Sequence, residues 1–191
     1  MVSFKQYYPM LNEGFKEKIG MLGVLASLAF STPLLSKSAE SLYNQLSRHE
    51  GIKSQIYLDS KGIPTIGIGF NLQDPSNKKL LSKYGITDKM LKTGLTESQI
   101  MALFNESLDR AKSDALKFLP NLYQHPIPVQ NAIIDMAFNL GYTKLNKFVD
   151  FKKSLIQKNY EQASKDMLNS LWSKQVGKRA EYLSNLIKSS R

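Results

Sequence analysis

The helical spacing of apolar residues in the second half of the chain constrains the fold most. Between Ile100 and Phe118, apolar side chains recur at three- and four-residue steps, as they do on the buried face of a helix. Thr96 and Gln99 match the capping-box pattern just before this run, so we expect a long helix to begin there. Further helical patterns cover residues 129–140, 147–157, 160–171 and 178–189.

One short β segment is expected nearer the start of the chain. The runs Ile56–Asp59 and Ile63–Phe70 flank a Ser-Lys-Gly turn and predict the two strands of a hairpin. A helix is predicted over Ser41–Glu50, because Gly51 follows it as a residue type that commonly ends helices. Residues 71–92 predict loops with a short helix. The predicted fold class is therefore α+β and mainly helical.

The composition excludes several classes of enzyme. The chain of 191 residues contains no cysteine, which rules out a cysteine nucleophile and a disulfide framework. Its two histidines, His49 and His125, lie outside any H-E-x-x-H pattern, so we expect neither a metal site nor a cofactor. The net charge of +10 indicates an anionic partner, which could be nucleic acid, a membrane surface or a bacterial wall polymer.

The first forty residues differ from the rest, and we predict an N-terminal extension (1–40) followed by one domain (41–191). Residues 19–30 are twelve in a row without a charge, and the apolar stretch extends to residue 35. This stretch resembles the core of an export signal, and its seventeen residues are at the lower limit for a membrane anchor. The alternative is a buried helix that docks on the domain or on another protein.

Two carboxyl groups of this domain are expected to lie in unlike environments. Glycoside hydrolysis needs one carboxylic acid to protonate the leaving oxygen and a second carboxylate to activate water or stabilise the cationic transition state. Glu50 at a helix C-terminus faces the negative end of the helix dipole, which disfavours its ionised form and suits an acid. Asp59, beside a turn, is expected to be solvated and ionised, and the Thr65 hydroxyl can hold a water between the two. Taken singly, each residue also has an ordinary structural explanation, as a surface acid or a strand-forming threonine.

The combination of these residues resembles the active-site block of the phage lysozymes related to the T-even phage enzyme. The block consists of His49-Glu50-Gly51, the run Ile56–Asp59, Gly62 and the run Thr65–Gly69. The resemblance extends over about residues 41–187 and implies that Glu50, Asp59 and Thr65 form the catalytic set. Its remaining motifs are Leu95–Phe104, Phe138–Gly141, Ser170–Trp172 and Lys178–Ala180.

The resemblance also implies a two-lobed fold, in which the hairpin lobe faces a helical lobe across a substrate cleft. Asn139, Trp172 and Arg179 would line that cleft as substrate-binding residues, Arg179 would pair with Glu50, and hydrolysis would proceed with inversion. Each of the three also has a structural alternative. Trp172 could be core packing, Asn139 a helix cap before Gly141, and Arg179 an unpaired cation near a helix start.

The expected function is that of an endolysin, a muramidase that cuts the β-1,4 bond between N-acetylmuramic acid and N-acetylglucosamine in peptidoglycan, for wall degradation or host cell lysis. Residues 142–191 hold eleven Lys and Arg against four Asp and Glu, a charge that attracts an anionic wall. We expect a monomer at the periplasmic side of the wall, exported or tethered through residues 19–35, or held in the host cytoplasm or a virion before release.

Two other functions use the same charge. Nucleic-acid binding lacks support, because the sequence has no zinc-finger spacing and no interleaving of aromatic and basic residues along a sheet, so no nucleic-acid partner is expected. The remaining alternative keeps the lysozyme fold for wall binding, or for assembly of a virion or membrane component, with weak or no catalysis.

Overall fold

A computed structural model describes residues 33–59 and 62–190 of the chain. Within that part, the chain from Ser38 onward forms one compact unit. The apolar stretch predicted at residues 19–35 lies, apart from its last three residues, outside the described part, and the domain boundary at residues 40 and 41 stays a prediction. Among the described helices, none combines the length and apolar character that crossing a bilayer requires.

Helix α1 spans Pro33–Glu50 and begins eight residues before the predicted start at Ser41. Residues 36–40, which lie between the two, include Lys, Ala and Glu, and these strong helix formers extend the helix backwards. Proline is compatible with the first turn of a helix because the amide it lacks would have no partner there. The predicted end is confirmed at Glu50, where Gly51 follows with a φ of +74°.

An antiparallel sheet of three strands follows, in the order β1 (Lys53–Leu58), β2 (Pro64–Gly67) and β3 (Phe70–Asn71). The prediction of a two-stranded hairpin was incomplete, because the return run turns back on itself at Ile68 and Gly69. Gly69 has a φ of +69°, which a glycine adopts without steric cost and which a two-residue turn between strands requires.

Two helices occupy the segment for which loops and a short helix were predicted. They are α2 (Pro75–Lys83) and α3 (Asp88–Thr93). The Asp74-Pro75 pair does not form a turn: the Asp74 side chain accepts a hydrogen bond from the Ser76 amide at 2.9 Å and caps α2, and proline takes the first helical position.

The predicted long helix is confirmed as α4 (Glu97–Phe118), with both hydrogen bonds of the Thr96 and Gln99 capping box in place. It packs on β2 and β3 near its start and along α5 (Ile127–Leu145) farther on, so it connects the sheet to the helical part of the domain. Gly141 was expected to end α5. It instead interrupts the helix with a φ of +67° and a ψ of 166°, after which one more turn follows.

Four short helices complete the described part of the domain, and the one predicted over residues 160–171 ends at Leu168, before a separate helix that starts at Leu171. Ser170 separates the two helices, because its side chain accepts a hydrogen bond from the Ser173 amide at 3.1 Å and begins a new helix. Fully buried side chains such as those of Phe118, Ile133 and Phe151 form the core. The predicted mainly helical α+β class is confirmed. The four helices are α6 (Val149–Ile156), α7 (Tyr160–Leu168), α8 (Leu171–Val176) and α9 (Lys178–Lys188).

Candidate active site

Glu50 is the last residue of α1, and its carboxyl group lies against the turn between β2 and β3. A Cβ atom built on Gly69 would be 2.9 Å from Glu50 Oε2 and 3.3 Å from its Cγ, so only a glycine leaves room for this side chain. Gly67 and Gly69 lie at the turn between β2 and β3, and glycines in strands often mark the close approach of a ligand or another part of the chain. In the structure these glycines lie against side chains of the protein itself, Ile100 for Gly67 and Glu50 for Gly69.

Arg179, near the start of α9, pairs with Glu50 as the sequence led us to expect. Its Nη1 donates to Glu50 Oε1 at 2.7 Å, and its side chain is only 9% exposed. Because the two residues are 129 positions apart, this contact joins the first and last described helices of the chain. The guanidinium is therefore a fixed positive charge beside the carboxyl group.

A second carboxylate, that of Asp135 in α5, holds the same guanidinium from its other edge. Arg179 Nε donates to Asp135 Oδ1 at 2.8 Å. The other carboxylate oxygen, Oδ2, accepts from Gln45 Nε2 at 2.7 Å and contacts His49 Nδ1 at 3.0 Å. We call Gln45, His49, Glu50, Asp135 and Arg179 the buried ionic cluster.

The charges of this cluster stabilise one another. Burial opposes the ionisation of Asp135, but the hydrogen bond from His49 and the charge of Arg179 outweigh it and hold the pKa of that carboxyl below its usual value. Burial likewise opposes the charge on Arg179, and the carboxylates of Asp135 and Glu50 together keep its pKa above the usual value. Asp135 is therefore ionised, so His49 Nδ1 carries the hydrogen in their contact.

Asp59 and Thr65 lie on opposite arms of the hairpin, next to the turn. Asp59 Oδ1 accepts from the Ile63 amide at 2.8 Å, and the backbone of the same two residues is hydrogen-bonded at 3.0 Å, so the turn fixes the carboxylate. Thr65 is 4% exposed, pairs with Tyr57 across the strands, and donates its hydroxyl hydrogen to the Ile63 carbonyl at 2.9 Å. Its oxygen lone pairs therefore remain as acceptors.

Tyr57, which the sequence analysis did not single out, interacts electrostatically with both candidate carboxyl groups. Burial raises the pKa of its hydroxyl, and the charge of Glu50 and, to a smaller degree, that of Asp59 raise it further. A hydrogen bond from the Gly69 amide acts in the opposite direction. The phenol is thus neutral and connects the β1 strand to the turn that faces Glu50.

Asn139 and Trp172 contact each other. Trp172 Nε1 donates to Asn139 Oδ1 at 2.9 Å, and the indole packs edge-on against Phe148 with ring centroids 6.0 Å apart. Trp172 is 6% exposed, whereas Asn139 is exposed. The indole is thus a core side chain with its polar edge satisfied, and the predicted sugar contacts of both residues stay predictions.

Comparison with known proteins shows the same resemblance over most of the chain. The phage lysozyme family model matches residues 47–188, which include all members of the buried ionic cluster except Gln45. The chain belongs to the phage lysozyme family. It is similar to two probable T4-type lysozymes of Dictyostelium discoideum, 1 and 2. The first is 30% identical, and the match covers 77% of this chain and 93% of that relative. The second is 29% identical, and the match covers 73% of this chain and 89% of that relative.

A third relative is a longer protein, of which the match covers only a part. The pre-baseplate central spike protein Gp5 of Enterobacteria phage T4 is 25% identical over 77% of this chain, and the match covers 27% of that longer protein. Membership of the phage lysozyme family indicates a lysozyme-type glycosidase.

The sequence analysis did not identify His49 and Asp135 as members of this site. The sequence analysis gave His49 no role, but its side chain is only 11% exposed and contacts a fully buried carboxylate. Asp135 lies in the segment 129–140, which was interpreted only as a helical pattern. A signal for it exists, because a charged residue within an apolar helix is seldom buried without a partner.

The described part of this phage lysozyme contains no group of three or more histidine, cysteine or acidic side chains that could hold a metal ion. Its site residues include a carboxyl group that a guanidinium fixes at a helix end. They also include a second carboxylate that a hairpin turn fixes. Such a pair can perform acid–base chemistry with side chains alone.

Proposed function

We propose that this protein is a muramidase that hydrolyses the β-1,4 bond between N-acetylmuramic acid and N-acetylglucosamine in bacterial peptidoglycan. The observation that carries the proposal is the placement of Glu50. Its carboxyl is bound by Arg179 at 2.7 Å on one side and lies against Gly69 on the other, within a chain of the phage lysozyme family.

In this proposal Glu50 is the general acid that protonates the leaving oxygen. Its carboxyl lies at the C-terminal end of α1, where the Arg179 guanidinium holds it. Asp59 is the second carboxylate. Its bond from the Ile63 amide keeps it oriented, as activation of water requires.

Thr65 would orient the attacking water. Because its hydroxyl hydrogen is given to the Ile63 carbonyl, its oxygen can only accept from a water molecule. A water that donates one hydrogen to Thr65 and the other to Asp59 presents its lone pair to the anomeric carbon. Proton transfer to Asp59 then accompanies formation of the new carbon–oxygen bond, while Glu50 gives its proton to the leaving oxygen.

The test is release of muropeptides from purified peptidoglycan by the full chain, analysed for new reducing ends at muramic acid. Glu50→Gln and Asp59→Asn are expected to reduce release by at least about a hundredfold, since general acid–base catalysis typically contributes 10²–10⁴-fold. Asp109→Asn is the matched control, because this carboxylate has a 76% exposed side chain and only a surface pair with Lys112. No release by the parent chain would reject the proposal, and an active Glu50→Gln variant would reject the mechanism.

A second candidate is a structural duty as the lysozyme module of a larger assembly, with weak or no catalysis. The similarity to the central spike protein of phage T4 favours it, since the match there covers 27% of a longer protein. Binding of the inactive Glu50→Gln variant to wall sacculi, with no release by the parent chain, would support this candidate over the enzyme.

We also propose that the protein acts at the bacterial wall on its periplasmic side and reaches it through residues 19–35, as an export signal or a tether. The net charge of +10 supports attraction to anionic wall polymers or membrane surfaces. Fractionation of cells that express the full chain and a form with residues 19–35 deleted tests this. Equal distribution of the two forms would contradict it.

A further inference from the structure

Asp135 is a fully buried carboxylate in the middle of α5, and it has no part in the reaction as proposed above. Its side chain is 0% exposed. Taking a carboxylate out of water is costly, and the cost is recovered only when the geometry of its partners is good. The arrangement of its partners, one of which also binds Glu50, indicates what the charge does.

We infer that Asp135 is a positioning residue of the active site, which fixes the Arg179 guanidinium and divides its charge between two carboxylates. This inference rests on the proposed function. A guanidinium is planar and rigid, so holding Nε against Asp135 Oδ1 at 2.8 Å determines where Nη1 points. Nη1 then meets Glu50 Oε1 at 2.7 Å.

The division of charge matters for the proton that Glu50 must donate. An undivided positive charge in contact with a general acid favours loss of its proton. Asp135 neutralises part of the Arg179 charge from the opposite edge of the guanidinium. A residue that only stabilised the fold would not have this effect.

Several charged or titratable groups in the described part of the chain enter this argument. Arg179 acts on it directly, and Asp135 acts through Arg179. His49 and Gln45 hold Asp135 in place from α1, the helix that ends at Glu50. The remaining neighbours are Tyr57 on β1, whose hydroxyl is electrostatically coupled to Glu50, and Asp59, which is coupled to Tyr57.

The test is Asp135→Asn in the full chain, with kcat/KM for wall hydrolysis measured across pH. The amide can still accept from Arg179 Nε, while Gln45 can rotate its own amide and His49 can change its tautomer, so the hydrogen bonds survive and only the charge is lost. The alkaline limb, which reports loss of the acid's proton, is expected to move about one pH unit lower, and activity near neutral pH to fall about tenfold.

Two further variants separate charge from stability. Gln45→Met removes one hydrogen bond to Asp135 without changing charge, so it should lower the melting temperature and leave the alkaline limb in place. The double variant Gln45→Glu with Asp135→Asn places the carboxylate on residue 45, the hydrogen-bond neighbour of residue 135. The alkaline limb of the pH profile should then return toward its original pH. If Asp135→Asn alone fails to fold, the double variant carries the test: its carboxylate lies farther from Arg179, so its limb should stay below that of the parent chain, and a limb at the parent's pH would overturn the inference.

An alkaline limb that stays in place in folded Asp135→Asn would overturn the inference. So would a Gln45→Met variant that moves the limb as far as Asp135→Asn does. Neither result affects the proposed function, which fails only if the unmodified chain releases no muropeptides.

Discussion

Replacing Gly69 by alanine tests how closely the sheet confines the carboxyl group of Glu50, the proposed acid. The new Cβ would lie 2.9 Å from Glu50 Oε2 and 3.1 Å from its Cδ. An ordinary contact needs about 3.5 Å, so the end of the Glu50 side chain must move by roughly half an ångström. That movement works against the 2.7 Å bond from Arg179.

Two costs are expected, and they differ in kind. An L-residue at a φ of +69° is strained by about 1–2 kcal/mol, which lowers the melting temperature of a domain of this size by roughly 4 °C. The end of a glutamate side chain moves at little cost in stability, but a displacement of this order lowers activity by about tenfold, since 1 Å can cost about a hundredfold.

The assay compares muropeptide release and thermal unfolding of Gly69→Ala with those of Gly85→Ala. Gly85 has a φ of +61°, but a Cβ atom built on it would have nothing within 4 Å, so alanine there brings the strain without the clash. Both variants should lose similar stability, and only Gly69→Ala should lose activity. Full activity in Gly69→Ala, or an equal loss in both, would refute the argument that Gly69 sets the position of Glu50.

Three other predictions concern single contacts. Trp172→Phe removes the donor to Asn139 and should lower the free energy of unfolding by about 1 kcal/mol, with little change in KM. A large rise in KM at unchanged stability would instead indicate that the indole contacts sugar. Burial lowers the pKa of His125, which contacts Tyr160 at 3.0 Å, so its stabilising effect is lost as the pH falls from about 6.5 towards the folded-state pKa. His125→Gln should therefore flatten the fall in melting temperature between pH 7 and pH 5, and an unchanged slope would contradict this. Thr96→Ala breaks the capping box and should cost about 1 kcal/mol in urea denaturation while wall hydrolysis at 25 °C stays unchanged.

The parts of the fold that could be predicted are those in which local signals agree. The capping box and the apolar spacing after it both indicate a helix, and α4 begins and ends where they predict. Glu50 at the end of α1 and Asp59 beside the hairpin turn could be placed for the same reason, because Gly51 and Gly62 mark the positions where the chain must change direction.

The parts that could not be predicted depend on competition between signals. Asp74-Pro75 is equally compatible with a turn and with a capped helix start, and only the hydrogen bond to the Ser76 amide decides between them. The break in the return strand at Ile68 and Gly69 likewise has no local signal that separates it from a continuous strand with glycines.

The residues proposed to react and the charged residues that hold Glu50 therefore come from different parts of the chain. The residues proposed to react lie within the sixteen positions from Glu50 to Thr65, where a spacing pattern can reveal them. The charged residues that hold Glu50 come from α9 and α5: Arg179 contacts Glu50 directly, and Asp135 contacts Arg179, only in the folded state. A sequence pattern can thus locate the proposed acid, but the contact that fixes its carboxyl group joins residues more than a hundred positions apart. For this reason we expect substitutions at Asp135 to change the pH dependence of activity more than its maximum.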